Sequence, residues 1–350
     1  MRKKSTTRRR IEQVVAGGDD GAPERRSRRD TLATEEPLEI RIVRAEDRAR
    51  IVPRGAARSA AAAIAGDSAT AADGVPTRLA DVAHRVSVTM RTPGHDFELA
   101  AGFLYGESLI DDGDAIDAMR FCVDPAVDGA QRYNIVNVML APGTAFDPAS
   151  LRRNFYTTSS CGVCGKASIE AVRDAGCPVV RGDAAVTVET LLSLPASLRA
   201  EQAVFDRTGG LHAAALFSPG GELLEAREDV GRHNAMDKLV GAMLLAGELP
   251  LADRIVMVSG RLSFELVQKA ARAGVTALAG VSAPSSLAVE LADDVGMTLV
   301  GFLRDGRFNV YTGGDRVVTD PEAGRRRGRR RGRQRRHPPR RPSPRPRPAR

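Results

Sequence analysis

At 350 residues and 42% hydrophobic content, the chain is long enough to bury a core without covalent staples. Its four irregularly spaced cysteines exclude a disulfide-built secreted domain, and no apolar run approaches the roughly 20 residues that span a bilayer. The net charge of +8 is unevenly held: residues 325–350 carry 14 arginines and no acid, and residues 1–30 ten basic against five acidic groups, which leaves −11 on residues 31–324.

The chain opens on a basic stretch. Arg8-Arg9-Arg10 is followed by no apolar h-region between Ile11 and Asp20, so no export signal is expected and the cytoplasm is the expected location. Residues 1–30 read as a disordered basic tail. Pro37 to Val43 and Val86 to Met90 alternate in the manner of strands and predict an antiparallel pair. Between them, residues 45–85 with the alanine-rich run Ala56 to Ala65 read as an insertion. Thr92-Pro93-Gly94-His95-Asp96 is a turn that feeds a helix through Tyr105, with Asp96 or Thr92 as its cap. Tyr133 to Leu140 is a further strand, and the link from Ala141 to Asn154 is rich in turn residues.

Next comes Thr158-Ser159-Ser160-Cys161-Gly162-Val163-Cys164-Gly165-Lys166, the most informative run in the chain. It sets two cysteines at C-x-x-C spacing between glycines and beside a cation. Thiolate is the reactive form of cysteine, and a neighbouring cation favours it. Local chemistry suits either sulfur as nucleophile. Structural zinc would need Cys122 and Cys177 to complete a four-cysteine set, and neither has a partner at ligand spacing.

From residue 185 onward helices and strands alternate. Val186 to Phe205 predicts helix, His212 to Phe217 a strand or helix start, and Glu228 to Ala246 one long helix. Arg254 to Val258 and Ala277 to Val281 are short buried strands, followed by helices over Ser263 to Ala273 and Ser285 to Val295. Thr298 to Leu303 and Phe308 to Tyr311 close the series. This alternation predicts a mostly parallel sheet covered on both faces.

Ser259-Gly260-Arg261 and Ser282-Ala283-Pro284-Ser285-Ser286 follow buried strands, the usual ligand position in such sheets. Gly209-Gly210-Leu211-His212-Ala213 sets a histidine just past a double glycine, and the run Asp229 to Lys238 packs polar groups into the start of a helix, where anions bind well. Phe302-Leu303-Arg304-Asp305-Gly306-Arg307 reads as a hairpin turned at Asp-Gly, with two arginines placed to grip a phosphate. A zinc-deaminase site is absent, because His212 is followed by alanines and the C-x-x-C precedes it. The arginine-rich segment 321–350 predicts disorder and contact with nucleic acid that is only non-specific.

Taken in order, the Thr92 to Leu104 run, the Cys161 to Gly165 loop, Gly209 to Ala215, Glu228 to Ala235 and Ser282 to Val289 resemble the formate dehydrogenase accessory sulfurtransferases, the FdhD family. The resemblance covers residues 31–43 and 86–315. It implies an α/β fold: a cytidine-deaminase-like three-layer α/β/α domain over 185–320 lacking the zinc site, a smaller mostly β subdomain over 31–155, and a cysteine-loop segment over 156–184 between them. It implies a sulfur carrier that takes persulfide sulfur from a cysteine desulfurase on Cys161. The sulfur passes to the molybdenum bis(molybdopterin guanine dinucleotide) cofactor before insertion into formate dehydrogenase. Phe302, Leu303, Arg304, Asp305, Gly306 and Arg307 match the cofactor-binding stretch, Cys164 assists Cys161, and a homodimer without membrane contact is implied. Two other classes fit the residues: a non-catalytic cofactor chaperone, and a C-x-x-C redox or zinc protein.

Overall fold

The computed structural model describes residues 3–16, 23–51, 78–147 and 178–319. Cys161, Cys164 and Cys177, the bulk of the 45–85 insertion and the arginine-rich segment 321–350 lie outside the described residues.

The first two strands overturn a sequence expectation. β1 (Thr6–Val15) and β2 (Glu24–Ala33) form an antiparallel ribbon where composition predicts a disordered tail. Opposite charges meet across the ladder: Arg9 faces Asp30, and Arg25 reaches Glu12 diagonally at 3.1 Å. Opposite charges facing each other across strands stabilise a ladder. The base of the ribbon is pinned by Thr34 N–H to Ser5 C=O at 2.8 Å and by Lys3 to Asn134 at 2.9 Å.

β3 (Glu36–Val43) sends Leu38, Ile40 and Ile42 inward, and Glu39 and Arg41 pair on its other face at 2.7 Å. It lies antiparallel to β4 (His84–Arg91), as the alternation predicts. β5 (Ile116–Phe121) and β6 (Ile135–Leu140) complete a sheet of order β4-β3-β6-β5. The central β6 is buried at all six positions, which is why its sequence, Ile-Val-Asn-Val-Met-Leu, is apolar on both faces except at Asn137. Helix α1 (Ala45–Ala49) leaves the end of β3, and α2 (Asp96–Gly106) leaves the end of β4. Neither predicted cap serves α2. Its N-cap is His95, held left-handed at φ 57° without a side-chain cap bond, because Asp96 is engaged by Arg91 at 2.9 Å.

The larger sheet has the order β13-β12-β11-β10-β8-β9. Its members are β8 (His212–Phe217), β9 (Leu223–Asp229), β10 (Ile255–Val258), β11 (Ala277–Gly280), β12 (Thr298–Arg304) and β13 (Arg307–Thr312). A short parallel pair, β7 (Val186–Thr187) with β14 (Val317–Val318), flanks it. Only β10–β11 and β11–β12 are parallel, so the sheet is mixed and not mostly parallel. The difference comes from β9. Its sequence, Leu-Leu-Glu-Ala-Arg-Glu-Asp, is made largely of good helix formers, yet it pairs as an edge strand with β8. The predicted helix from Glu228 therefore begins later, as α5 (Arg232–Leu245).

Helices α3 (Val188–Glu201) and α4 (Ala203–Thr208) precede β8, α6 (Phe264–Arg272) links β10 to β11, and α7 (Ser286–Asp294) links β11 to β12. Alternate residues divide between the two faces of this sheet. Ala214, Leu216, Val256, Val258 and Leu278 join one cluster with α2, α5, α6 and the inner face of β3 and β6. Ala213, Ala215, Phe217, Ile255 and Met257 join a second cluster under α3. The first cluster thus spans both sheets, joined where α2 packs on α5.

Candidate functional site

Three loops meet at the carboxyl edge of the parallel strands. Leu262 bridges Pro284, and Leu262 N–H donates to Ala283 C=O at 3.1 Å, tying the Ser259 loop to the Ser282 loop. Phe302 N–H donates to Ser282 C=O at 3.2 Å, which adds the last hairpin. On the other side, Ala213 N–H donates to Ser259 Oγ at 2.9 Å and brings the start of β8, with His212, to the same edge. From β8 to β12 this edge is three strand spacings wide, about 14 Å.

The hairpin forms as the Asp-Gly signal predicts. Asp305 and Gly306 take φ of 53° and 70°, the pattern of a primed two-residue turn. Arg304 and Arg307 face each other across it. Phe302 also sits at positive φ, 52°, inside a register shift between Gly301 and Arg304. A bulky residue held left-handed is strained, and such strain gathers at ligand sites.

At the opposite end of the edge, α5 begins at Gly231 without a side-chain cap. Arg232 lies beside His212: a Cβ on Gly260 would stand 3.5 Å from His212 Nδ1 and 3.8 Å from Arg232 Cδ. Arg232 Nε is shielded from solvent and has no hydrogen-bond partner among the described residues. His233 Nε2 lies 2.9 Å from Glu265 Oε2 and 3.1 Å from Ser263 Oγ. Burial, and after it the nearby Arg232 and His233, pushes the His212 pKa below its usual value. The edge therefore presents two basic ends, Arg232 at one and Arg304 with Arg307 at the other, on a body whose net charge is −11. Chemically it suits an elongated ligand with anionic groups.

Asp229 and Asn234, from the same sequence motif, turn inward instead. Asp229 is fully buried; its carboxylate accepts from Thr92 N–H at 3.0 Å, Gly231 N–H at 2.8 Å and Asn234 Nδ2 at 3.0 Å. Lys238, 1% exposed, meets it at 2.7 Å and donates to Thr92 C=O at 2.9 Å. This network clamps the Thr92–Asp96 turn against the Arg232 loop. Lys238 and Thr92 were not legible as its members, because nothing in the spacing of a turn and a distant helix says that they meet.

The turn is braced again on its outer side. Glu98 accepts from Arg227 Nη2 at 3.0 Å and lies 3.0 Å from His95 Nδ1. Burial opposes its charge, but the bonds to His95 and Arg227 outweigh that and hold its pKa at about 2. A depressed carboxylate pKa adds stability that is fully present above the unfolded value near 4.5 and is lost as pH falls towards 2. Glu98→Gln should therefore remove part of the pH dependence of unfolding between those limits, measured by denaturant titration.

Among the described residues no group of three or more His, Cys, Asp or Glu side chains is placed to hold a metal ion, and no helix is long and apolar enough to cross a membrane. Cys161 lies outside the described residues, but the residues that follow its segment are placed: Val180 N–H donates to Val295 C=O at 2.9 Å, and Ala184 N–H to Asp253 Oδ1 at 2.9 Å. They run along the amino edge of the sheet, opposite the basic one.

The body is mixed α/β, and one edge of its larger sheet carries basic residues at both ends. The same fold is found in the crystal structure of a "putative formate dehydrogenase accessory protein" from Desulfotalea psychrophila, with a TM-score of 0.59 at 22% identity over 89% of this chain and 99% of that one. The profile of the FdhD/NarQ family matches residues 75–318, and the chain belongs to that family. It is 48% identical to the sulfur carrier protein FdhD of Streptomyces coelicolor over 87% of this chain and 95% of that protein. With the proteins of the same name from Mycolicibacterium paratuberculosis and Sulfolobus acidocaldarius it shares 54% and 43% identity, in each case over 66% of this chain and over 86% and 85% of theirs.

Proposed function

We propose that the chain carries sulfur as a persulfide on Cys161 and delivers it to molybdenum bis(molybdopterin guanine dinucleotide) before that cofactor enters formate dehydrogenase. The observation that carries this reading is the C-x-x-C pair inside residues 75–318, in a chain whose relatives are named sulfur carriers. The accessory name of the solved neighbour supports the client. The basic edge supports an anionic cargo.

The chemistry balances with two thiols. Cys161 thiolate attacks the terminal sulfur of a persulfide on a cysteine desulfurase, leaving the donor thiolate and Cys161–S–SH. Once the cargo is bound, Cys164 thiolate attacks the Cys161 sulfur. A Cys161–Cys164 disulfide forms and hydrosulfide leaves, so the two electrons that turn sulfane sulfur into sulfide come from the cysteine pair. A dithiol reductant resets the disulfide. The cargo supplies the metal that takes the sulfide; the chain's own part is to hold the cargo's phosphates at Arg304 and Arg307 on one side and at Arg232 on the other. Chain length permits the meeting. Cys161 is 14 residues beyond Asp147 and 17 before Pro178, a reach of up to about 45 Å at 3.3 Å per residue. A cytoplasmic homodimer with a deaminase-like larger domain belongs to the same reading.

The test is complementation of a strain lacking its own copy of the gene, read as formate dehydrogenase activity. Wild type restores activity and Cys161→Ala restores none. Full activity from Cys161→Ala would favour a cofactor chaperone. Full activity from Cys164→Ala alone would remove the resolving role and leave the carrier.

A further inference from the structure

The β1–β2 ribbon stands off the body as a two-stranded sheet of its own. Its base is held by Lys3 and Ser5, by α4 packed on β2, and by Ala33, whose Cβ lies 3.7 Å from where a Cβ on Gly210 would be. Ten residues per strand carry the ribbon about 30 Å from there. Such a ribbon, with open edges and both faces in water, is marginally stable by itself. The register sorts its charges. Arg8, Arg10, Arg25 and Arg29 share one face with a single carboxylate, Glu12, four positive charges against one negative and a net +3. Arg10 stands directly opposite Arg29, and like charges opposed across a ladder repel. Among the described residues Arg8, Arg10 and Arg29 have no carboxylate partner, whereas on the other face Arg26 and Arg28 are paired with Glu24 and Asp30. Apolar side chains lie exposed among these charges: Val14 is 57% exposed, Val15 41% and Leu32 40%. A phosphate backbone gains nothing from them, but protein interfaces combine apolar side chains with arginine. Ala33 lies on the arginine face, and its neighbour Gly210 is two residues before His212, so the ribbon rises from the carboxyl edge of the larger sheet.

We propose that the arginine face of this ribbon docks an acidic protein surface, that of the enzyme which receives the cargo. Resting on the reading above, the partner is cofactor-free formate dehydrogenase. Location separates it from the sulfur donor. A protein seated on the ribbon is brought to the edge assigned to the cargo, whereas a donor must reach Cys161, and the chain that follows the cysteine segment runs along the opposite, amino edge. The excess of positive charge steers an acidic surface towards the ribbon and selects against basic ones. The apolar residues beside the arginines then gain contact, and binding covers faces that are otherwise in water.

The experiment measures binding of the full chain to the formate dehydrogenase of the complementation strain, in its cofactor-free form, at about 50 and about 300 mM salt. Persulfide loading of Cys161 by a cysteine desulfurase is followed in parallel. Wild-type affinity should fall as salt rises. The triple variant Arg8→Glu, Arg10→Glu, Arg29→Glu should bind about tenfold more weakly or worse at low salt. The variant Arg8→Lys, Arg10→Lys, Arg29→Lys keeps the charge and should retain binding. All three proteins should load Cys161 equally, which also reports that each is folded. Equal dehydrogenase affinity in the glutamate variant and wild type would overturn the inference. A glutamate variant that lost only donor loading, or only binding to a DNA duplex, would overturn it too and assign the ribbon to that partner. Each of these results leaves the carrier reading standing. If wild type bound no dehydrogenase at either salt concentration, the inference and the client assignment would both fall, while persulfide formation on Cys161 would still be open to direct measurement.

Discussion

Lys238→Met should destabilise the protein by about 3–5 kcal/mol, because it strands the Asp229 carboxylate as an uncompensated charge in the core. Asp229 and Lys238 are 0% and 1% exposed, and their ion pair spans 2.7 Å. The three N–H donors on Asp229 remain, so the carboxylate stays solvated by dipoles but loses its counter-charge. Lys238 also donates to Thr92 C=O and Glu228 C=O, at 2.9 and 3.2 Å, and both acceptors would lose a partner. Denaturant unfolding at pH 7 measures the loss. A double-mutant cycle with Asp229→Asn isolates the pair, and the double variant should be more stable than the sum of the single losses predicts. Additive losses would mean that the pair contributes nothing beyond its separate packing. Because the network clamps the turn before α2 to the loop before α5, the same variant should also loosen the Arg232 end of the basic edge.

Gly102→Ala should cost about 3 kcal/mol, towards the upper end for overpacking a core. Helices α2 and α5 meet backbone to backbone at two glycines. A Cβ at Gly102 would stand 1.9 Å from Asp237 C=O, and one at Gly241 would stand 1.9 Å from Glu98 C=O. Neither obstacle is a flexible side chain that can turn aside, so the helices must part. Their contact joins the two sheets through one core, and parting them loosens packing on both sides. Gly129→Ala is the control, since a Cβ there meets nothing within 4 Å. Thermal unfolding should separate the two variants clearly; similar melting temperatures would mean that the helix contact is softer than this geometry implies.

The parts of the fold that were legible in the sequence are those where one local rule decides the outcome. Leu38, Ile40 and Ile42 alternate with Glu39 and Arg41 because one face of β3 is buried, and the pairing with β4 follows. Asp305-Gly306 specifies its turn because few other residues accept positive φ at both positions. Loops of the candidate edge were legible for a similar reason: serine, glycine, arginine and histidine interrupt apolar strands at their ends. Where tertiary context overrides local preference, the reading fails. Leu223 to Asp229 carries helix-forming residues, yet it is a strand because the edge of β8 is there to pair with it. The net charge of residues 1–30 hides a ladder in which Glu12 meets Arg25. Asp229 looks like a ligand-binding acid beside Arg232, but its surroundings turn it into a buried brace whose partner, Lys238, lies two turns along a helix that had been expected to include Asp229 itself.

Two poles of the larger sheet give the proposed transfer its geometry. Arg232, His233, Arg304 and Arg307 gather at the carboxyl edge, and the chain leaving the cysteine segment passes along the amino edge through Val180 and Ala184. Cys161 is central to the account, and whether it accepts sulfur can be weighed directly. Intact-mass spectrometry after incubation with a cysteine desulfurase and cysteine should show a gain of one sulfur, about 32 Da, in wild type and in Cys164→Ala, with persulfide chemistry as the basis. The gain should be absent in Cys161→Ala. A wild-type mass that does not change beside a demonstrably active donor, or a gain that persists without Cys161, would contradict the account.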